Sequence, residues 1–154
     1  MFQGNETESG SRMDYAVYTV TAAFLRDTAL PRFKGSMLRG AMGHSLKSTV
    51  CAVRVKVCET CLLRSSCVYA KIFEVKPNPD KNSGQVNLPH PYVLDATGMN
   101  LQNYKSGESF RFSLILFGKM IELLPYFIYT FESMGEKGLG HRREEGRSLF
   151  ELQA

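Results

Sequence analysis

Four cysteines stand close together in the first half of the sequence. They are all the cysteines of the 154 residues, and they follow the spacing C-x6-C-x2-C-x5-C at Cys51, Cys58, Cys61 and Cys67. The polar first residues contain no export signal, so we expect a reducing, cytoplasmic setting, where clustered cysteines bind metals more often than they form disulfides. A single CxxC pair departs from the two pairs typical of zinc sites, whereas one compact loop can wrap a four-iron cluster. We predict that the four thiolates hold zinc or a 4Fe-4S cluster.

Lysines and arginines are concentrated around these cysteines. Residues 32–76 contain nine of them against two acidic residues, whereas the formal net charge of the whole chain is +4. Such a basic stretch is suited to contacting nucleic-acid phosphates, although charge alone does not separate RNA from DNA. The predicted phosphate contacts in this stretch are Lys34, Arg39, Arg54 and Lys56.

One histidine lies on the polar side of a predicted helix. His44 belongs to SMLRGAMGHSLKST, which has helical period and begins at a plausible N-cap, Ser36. The spacing places His44 and Lys47 opposite the apolar side of this helix, and histidine titrates closest to neutral pH. A histidine that merely faces solvent is equally compatible with the pattern. His90, between two prolines, is more typical of a turn.

A glycine-rich segment near the end of the chain could also bind phosphate. It reads GEKGLGHRREEGR over residues 135–147 and includes His141. Glycine allows a backbone to approach a phosphate closely, and arginine can bind it. The segment lacks the GK[ST] of a P-loop and does not complete GxGxxG, and a tight helix-to-strand connection would use the same glycines. Its predicted phosphate contacts are Gly138, Gly140, Arg142 and Arg143.

The elements that must position these residues follow from hydrophobic period. Alternating and β-branched runs predict strands over 14–26, 91–96, 108–118 and the last residues from 148. Helical runs predict a helix from Ser36 and another from about 119 or 125 to Met134, with Gly135 as its stop. The apolar run 112–131 is interrupted by Lys119, Glu122 and Pro125, so it is a strand and a helix and not a membrane span.

The order of elements is strand, helix, strand, strand, helix, strand. This order predicts an α+β, ferredoxin-like (RRM-like) βαββαβ fold, in which a four-stranded antiparallel sheet carries two helices on one face. We expect one domain over 14–154, a Cys-rich insertion at 51–67 after the first helix, a mobile loop at 76–88 and a disordered leader at 1–13.

Several of these stretches together resemble a known family. LPRFKGSMLRGAMGHSL, CETCLLRSSCVYAKIFE, PHPYVL, FSLILFG, LLPYF and MGEKGLGHRREEGR, in this order, resemble the N-terminal domain of CRISPR-associated RAMP proteins of the precursor-crRNA processing endoribonuclease type, in a cysteine-containing branch. The resemblance runs from about Tyr15 to Leu152. It implies a role in antiviral defense, CRISPR repeat RNA or crRNA as the ligand, and a second RAMP domain or other CRISPR proteins as partners.

The resemblance also implies a reaction. Such enzymes cleave RNA without a metal at the bond, because a ribose 2′-hydroxyl attacks the adjacent phosphate and leaves a 2′,3′-cyclic phosphate. His44 matches the family's histidine by position, and Lys47 and Lys34 would stabilise charge on the phosphate. Gly40 and Gly43 would allow close approach of a backbone. Tyr18 or Tyr15 would complete the catalytic group.

Two other functions stay open. The chain could be a non-catalytic RAMP subunit that grips guide RNA inside a CRISPR effector complex. The cysteine spacing alone is similar to the cluster loop of helix-hairpin-helix DNA glycosylases, which would make the chain a metal-cluster DNA-binding module.

Overall fold

The structure is a computed structural model that describes residues 4–5, 14–54, 57–74, 89–143 and 146–153. The predicted mobile loop at 76–88 and most of the predicted leader lie outside the described residues. The strands are β1 (Gly4–Asn5), β2 (Tyr15–Phe24), β3 (Thr28–Ala29), β4 (Tyr92–Asp95), β5 (Asn103–Tyr104), β6 (Ser109–Phe117), β7 (Leu139–Arg143), β8 (Gly146–Ser148) and β9 (Phe150–Leu152). The α-helices are α1 (Lys34–Val50), α2 (Val68–Phe73) and α3 (Leu124–Lys137).

The main sheet is built on the long antiparallel pair β2 and β6. Their register runs from Tyr15 opposite Phe117 to Ala23 opposite Ser109. Strand β4 pairs with the other edge of β6, while β9 and the two-residue β1 pair with β2, all antiparallel. The predicted α+β fold with a four-stranded antiparallel sheet, formed by β4, β6, β2 and β9, is confirmed, and it is consistent with the ferredoxin-like arrangement.

Helices α1 and α3 close the core over one face of this sheet. Alternate residues of β6 are buried, as the period-2 pattern requires, and meet apolar side chains spaced three or four apart on the helices. Three helices are described where two were predicted, because the apolar patch after the last cysteine forms α2. The central core side chains, each at most 1% exposed, are Phe112, Leu114, Leu116, Leu38, Met42, Leu46, Phe127, Phe131 and Met134.

The predicted ends of both long helices were wrong by a few residues. Helix α1 begins at Lys34, ahead of the predicted Ser36, and its N-cap Phe33 makes no side-chain capping bond. Helix α3 continues through Gly135 and ends at Lys137, with Gly138 at φ 77° as its C-cap. Gly135 is needed for close packing, since a Cβ there would lie 2.3 Å from the Phe150 carbonyl oxygen of β9.

The glycine-rich segment folds into a hairpin of β7 and β8 where a loop was predicted. It follows α3 directly and leads into β9, so it is fixed at both ends by elements of the core. A second small sheet pairs β3 with β5, with Thr28 opposite Tyr104. In the part of the chain that the structure describes, no helix is long and apolar enough to cross a membrane.

Candidate nucleic-acid interface

The glycine hairpin, β7 with β8, faces two adjoining cavities. A cavity of about 510 Å³, here the helix-side cavity, lies between α1 and the start of the hairpin. A cavity of about 410 Å³, the strand-side cavity, lies between the hairpin and the small sheet of β3 and β5. Pro31, Gly140 and Arg147 line both. We call the two cavities together the hairpin groove.

Two glycines shape the hairpin where it meets α1. Gly138 and Gly140 have φ values of 77° and 75°, which L-residues with side chains rarely adopt. Between them, Leu139 is fully buried and anchors the strand in the core. At Gly138 a Cβ would lie 2.7 Å from the Arg147 Cβ, so the two strands of the hairpin approach closely there. Gly138 donates its amide to Met134 at 2.9 Å and therefore caps α3, leaving this amide engaged within the protein.

The charged residues in the described lining of the groove are mainly basic. The lining contains five lysine or arginine residues and one carboxylate, that of Asp27. Asp27 accepts hydrogen bonds from Lys105 Nζ at 2.8 Å and from the Ser106 amide at 2.9 Å. The hydrogen bond from Lys105 and that from Ser106 lower the pKa of Asp27, and the same pairing raises the pKa of Lys105. The five basic residues are Arg26, Arg32, Lys105, Lys137 and Arg147.

These basic residues differ in how far they are engaged within the protein. Lys105 is paired with Asp27, and Lys137 donates a hydrogen bond to the Ser48 hydroxyl. Arg26 lies against the hairpin, with Nη1 3.2 Å from where a Cβ on Gly146 would stand. Arg147, on the hairpin, and Arg32, in the turn before α1, are exposed at the groove, and the Arg32 guanidinium stands 5.8 Å from the Phe33 ring centroid. A phosphate held between opposing arginine side chains is the chemistry that this arrangement suits.

His44 lines the helix-side cavity and is exposed to solvent. It shares this cavity with Gly40, Gly138, Gly140 and Arg147. A histidine beside an arginine at an open cavity can exchange protons with a bound ligand. Of the three residues predicted to be catalytic, His44 alone is among those that line the groove. Tyr18 lies on β2, half-buried against the core.

Lys47 lies one turn beyond His44 on α1, but its side chain is directed toward α2. Its ammonium lies 5.4 Å from the ring centroid of Tyr69 on α2. A hydrogen bond with Cys58 raises the pKa of Lys47, while burial raises the pKa of Tyr69. The structure thus places Lys47 with the cysteines and α2, away from His44 and the groove lining.

Arg39, predicted to contact phosphate, lies on the same side as Lys47. Its guanidinium donates to His90 Nε2 at 2.7 Å and stands 5.3 Å from the Phe73 ring centroid. Since arginine can only donate, His90 accepts at Nε2 and donates from Nδ1 to the Ile72 carbonyl at 3.4 Å. The space beside Gly43 is filled by the same aromatic side chain, because a Cβ on Gly43 would lie 2.8 Å from the Phe73 ring. Its predicted opening toward a nucleic-acid backbone is therefore filled by α2.

The remaining predicted contacts are dispersed. Lys34 is only 6% exposed, so its side chain is enclosed by protein at the start of α1. Arg54 is exposed just after Cys51 and has a positive φ of 50°. Lys56 and the side chains of His141, Arg142 and Arg143 lie outside the described residues. Arg32 and Arg147 are not among the predicted phosphate contacts, although Arg32 begins the basic stretch and Arg147 is one of the arginines of the glycine-rich segment.

The cysteine segment, residues 51–67, connects α1 to α2. All four of its thiols are free and half-buried. Cys51, Cys61 and Cys67 line a third cavity of about 490 Å³, here the cysteine cavity, which α3 closes with Tyr126 and Tyr129. Across the described ranges, no three potential metal ligands converge on a common point. The donor set is nevertheless four soft thiols, which suits a thiophilic metal.

Comparisons with known proteins agree with this fold. The family model AF_1859_N, described as an N-terminal domain, matches residues 13–154. An uncharacterized protein of Archaeoglobus fulgidus is 26% identical over 110 residues, which are 71% of this chain and 37% of that protein. The chain thus spans little more than a third of the curated relative that it matches.

A solved structure extends the comparison in three dimensions. A chain in the crystal structure of the Csm3-Csm4 subcomplex in the type III-A CRISPR-Cas interference complex matches with a TM-score of 0.60 and 15% identity. The match covers 99% of this chain and 77% of that chain. At this level of identity the likeness establishes a common fold.

Proposed function

The chain belongs to the AF_1859_N family, and from its fold and its groove we propose that it is a ferredoxin-like, RAMP-type RNA-binding domain of a CRISPR system, with residues 51–67 as a cysteine-containing insertion. The observation that carries the proposal is the hairpin groove. A glycine hairpin fixed to the core forms one wall and carries Arg147, while α1 and the turn before it, which carries Arg32, form the other.

The chemistry of the groove favours a single nucleic-acid strand. Phosphates supply most of the affinity in such complexes, and arginine binds a phosphate through two parallel hydrogen bonds. Arg32 and Arg147 can do so from opposite walls. Gly40 adds open space beside them, since no atom lies within 4 Å of where its Cβ would stand.

Partners are proposed on the same basis. The structural neighbour is part of a subcomplex of two CRISPR proteins. By analogy in fold, we assign this chain a place beside a second RAMP domain or another CRISPR protein, with CRISPR repeat RNA or crRNA as the shared ligand.

Binding to single-stranded RNA tests the proposal. Fluorescence anisotropy should show that the chain binds a labelled RNA strand more tightly than duplex DNA of the same length. The double variant Arg32→Ala, Arg147→Ala should bind RNA at least about tenfold more weakly, because two charge-assisted contacts are lost. Arg111→Ala, which removes an exposed arginine on β6 outside the groove lining, is the matched control. Equal binding to duplex DNA would favour the DNA-binding alternative.

A specific observation extends the proposal to catalysis. His44 opens into the same cavity as Arg147, so a proton-transfer group and a cation for the phosphate stand together. In the proposed reaction the ribose 2′-hydroxyl loses its proton, its oxygen attacks the adjacent phosphorus, and the 5′-oxygen leaves and takes up a proton. His44 would accept or donate one of these protons, and Arg147 would stabilise the negative charge on the phosphate.

Product analysis separates a nuclease from a non-catalytic RNA grip. Cleavage of repeat RNA that persists in a chelator and yields a 2′,3′-cyclic phosphate, detected by mass spectrometry, supports the endoribonuclease. Tight binding without cleavage by the protein together with its partners supports a subunit that holds guide RNA.

A further inference from the structure

The cysteine segment has little of the packing that normally holds a connection in place. Among its described residues none is buried, and Val53, Val57, Leu62 and Leu63 are exposed, Leu62 by 98%. One side-chain contact between the segment and the rest of the protein is the ion pair of Arg64 with Glu74 at 3.0 Å. A segment without a core contribution needs another constraint to balance its loss of conformational freedom.

The cysteines occupy the positions where such a constraint would act best. Cys51 follows the last residue of α1 and Cys67 is the N-cap of α2. Cys58 and Cys61 bracket a 3-10 turn, in which the Cys61 amide donates to the Cys58 carbonyl at 3.2 Å. A bond network through these sulfurs would join both helices and the turn.

Three of the four thiols already share one surface. Cys51, Cys61 and Cys67 line the cysteine cavity of about 490 Å³, with apolar walls from Val50, Val68 and Pro125 among others. Apolar walls limit access of water and stabilise thiolate-bound centres against loss of metal. The fourth thiol, Cys58, has the Lys47 ammonium as a hydrogen-bond partner. Lys47 therefore brings positive charge to one sulfur, which offsets the negative charge of a thiolate-bound centre.

We propose that Cys51, Cys58, Cys61 and Cys67 bind a thiophilic metal centre at the mouth of the cysteine cavity, and that this centre fixes the segment between α1, α2 and α3. Binding requires the thiols to lose their protons and to move closer together, since Cys58 lies outside the cavity lining and no three potential ligands converge among the described residues. Tetrathiolate coordination is common to a zinc ion and to an iron–sulfur cluster, and the cavity has room for either. This site is separate from the hairpin groove, so it goes beyond RNA binding.

Metal analysis of anaerobically purified chain, prepared without chelator, tests the proposal. We expect metal in stoichiometric amount with the chain. Iron with acid-labile sulfide identifies a cluster, and zinc without sulfide identifies a single ion. Cys51→Ser, Cys61→Ser and Cys67→Ser should each lose the metal. Ser66→Ala is the control, because Ser66 lines the same cavity and donates to the Leu63 carbonyl.

A second measurement decides the matter if the serine variants do not fold. Titration of the metal-free wild-type chain with Co²⁺ should produce thiolate-to-cobalt charge-transfer absorption and protect residues 51–67 from protease. Lys47→Met should weaken Co²⁺ binding about tenfold, as loss of an outer-shell partner usually does. The proposal is overturned if the purified chain contains no metal and gives no charge-transfer band, or if the serine variants fold and keep their metal. RNA binding by the groove is unaffected by either result.

Discussion

Two adjoining faces of α1, here the groove side and the α2 side, carry similar residues in different environments. On the groove side, Gly40 has open space at its Cβ position and His44 is exposed. On the α2 side, Gly43 is filled by the Phe73 ring and Lys47 is engaged with Tyr69 and Cys58. Both sides offer a glycine followed by a basic group, yet only one presents them to a ligand. The element that packs against each side therefore decides which residues can act on RNA.

The largest expected effect is on the cleavage rate, compared between a variant of His44 on the groove side of α1 and a variant of Lys47 on the α2 side. In the protein assembled with any partner that cleavage requires, His44→Ala should lower the single-turnover cleavage rate of repeat RNA by about 10²-fold, because a proton-transfer group is lost. RNA affinity should remain nearly unchanged. Lys47→Ala should change the rate by no more than about threefold, since Lys47 is directed toward the cysteine segment and substitutions away from a site usually have effects of about 0.5 kcal/mol or less.

The opposite pattern would break the comparison. If Lys47→Ala slowed cleavage as much as His44→Ala while the chain stayed folded, both residues would act on the phosphate. The orientation of Lys47 toward Cys58 would then not represent the active protein.

Alanine substitutions at Gly40 and Gly43 test the same contrast through the free energy of unfolding. Gly43→Ala should lower the free energy of unfolding by about 1–3 kcal/mol, because the new Cβ would stand 2.8 Å from the Phe73 ring and overpack the contact of α1 with α2. Gly40→Ala should raise it by up to about 1 kcal/mol, because alanine favours an exposed helix position and meets no atom there. Urea denaturation of the two variants measures both. A destabilising Gly40→Ala would show that the groove wall is packed and not open.

The smallest effect concerns pH inside the groove, where Lys105 is paired and Arg147 is exposed. The pKa of Asp27 is lowered chiefly by its hydrogen bond from Lys105. The stabilisation from this pair is therefore present above the unfolded pKa of aspartate and is lost as pH falls through the lower folded value. Lys105→Met should raise the Asp27 pKa, measured by NMR titration of the carboxyl carbon, with little change in stability because the pair is exposed.

The matched control for this titration is Lys119→Met, which removes an exposed lysine from the turn before α3. It should leave the Asp27 titration unchanged. An Asp27 pKa that is insensitive to Lys105→Met would mean that the backbone amide of Ser106 accounts for the shift.

The sequence was sufficient for the α+β core with its antiparallel sheet and two long helices, but not for α2, the β7–β8 hairpin or the β3–β5 sheet. Along Ser109–Phe117 every second residue is an apolar residue that is buried, as the period-2 pattern predicts, although Ile115 and Phe117 at the alternate positions are apolar as well. The end of α3 was missed for a tertiary reason. Glycine usually stops a helix, but Gly135 instead admits the backbone of β9, and no local pattern records that approach.

The site was harder to predict because its decisive contacts are distant in sequence. Arg39 was predicted to contact phosphate, but its guanidinium donates a hydrogen bond to His90, which lies 51 residues away in the sequence. Lys34 and Lys47 have the same residue type, yet one is buried and the other meets the cysteine segment. His44, Gly138 and Gly140 do meet in one cavity. Their roles in RNA binding stay predictions.

The salt dependence of RNA affinity tests the central claim most directly. Each phosphate contact on a single strand contributes about 0.7 to the slope of log affinity against log salt. The double variant Arg32→Ala, Arg147→Ala should therefore have a slope shallower than wild type by about 1.4, while Arg111→Ala keeps the wild-type slope. If the double variant keeps both the affinity and the slope of wild type, the hairpin groove is not where the chain binds RNA.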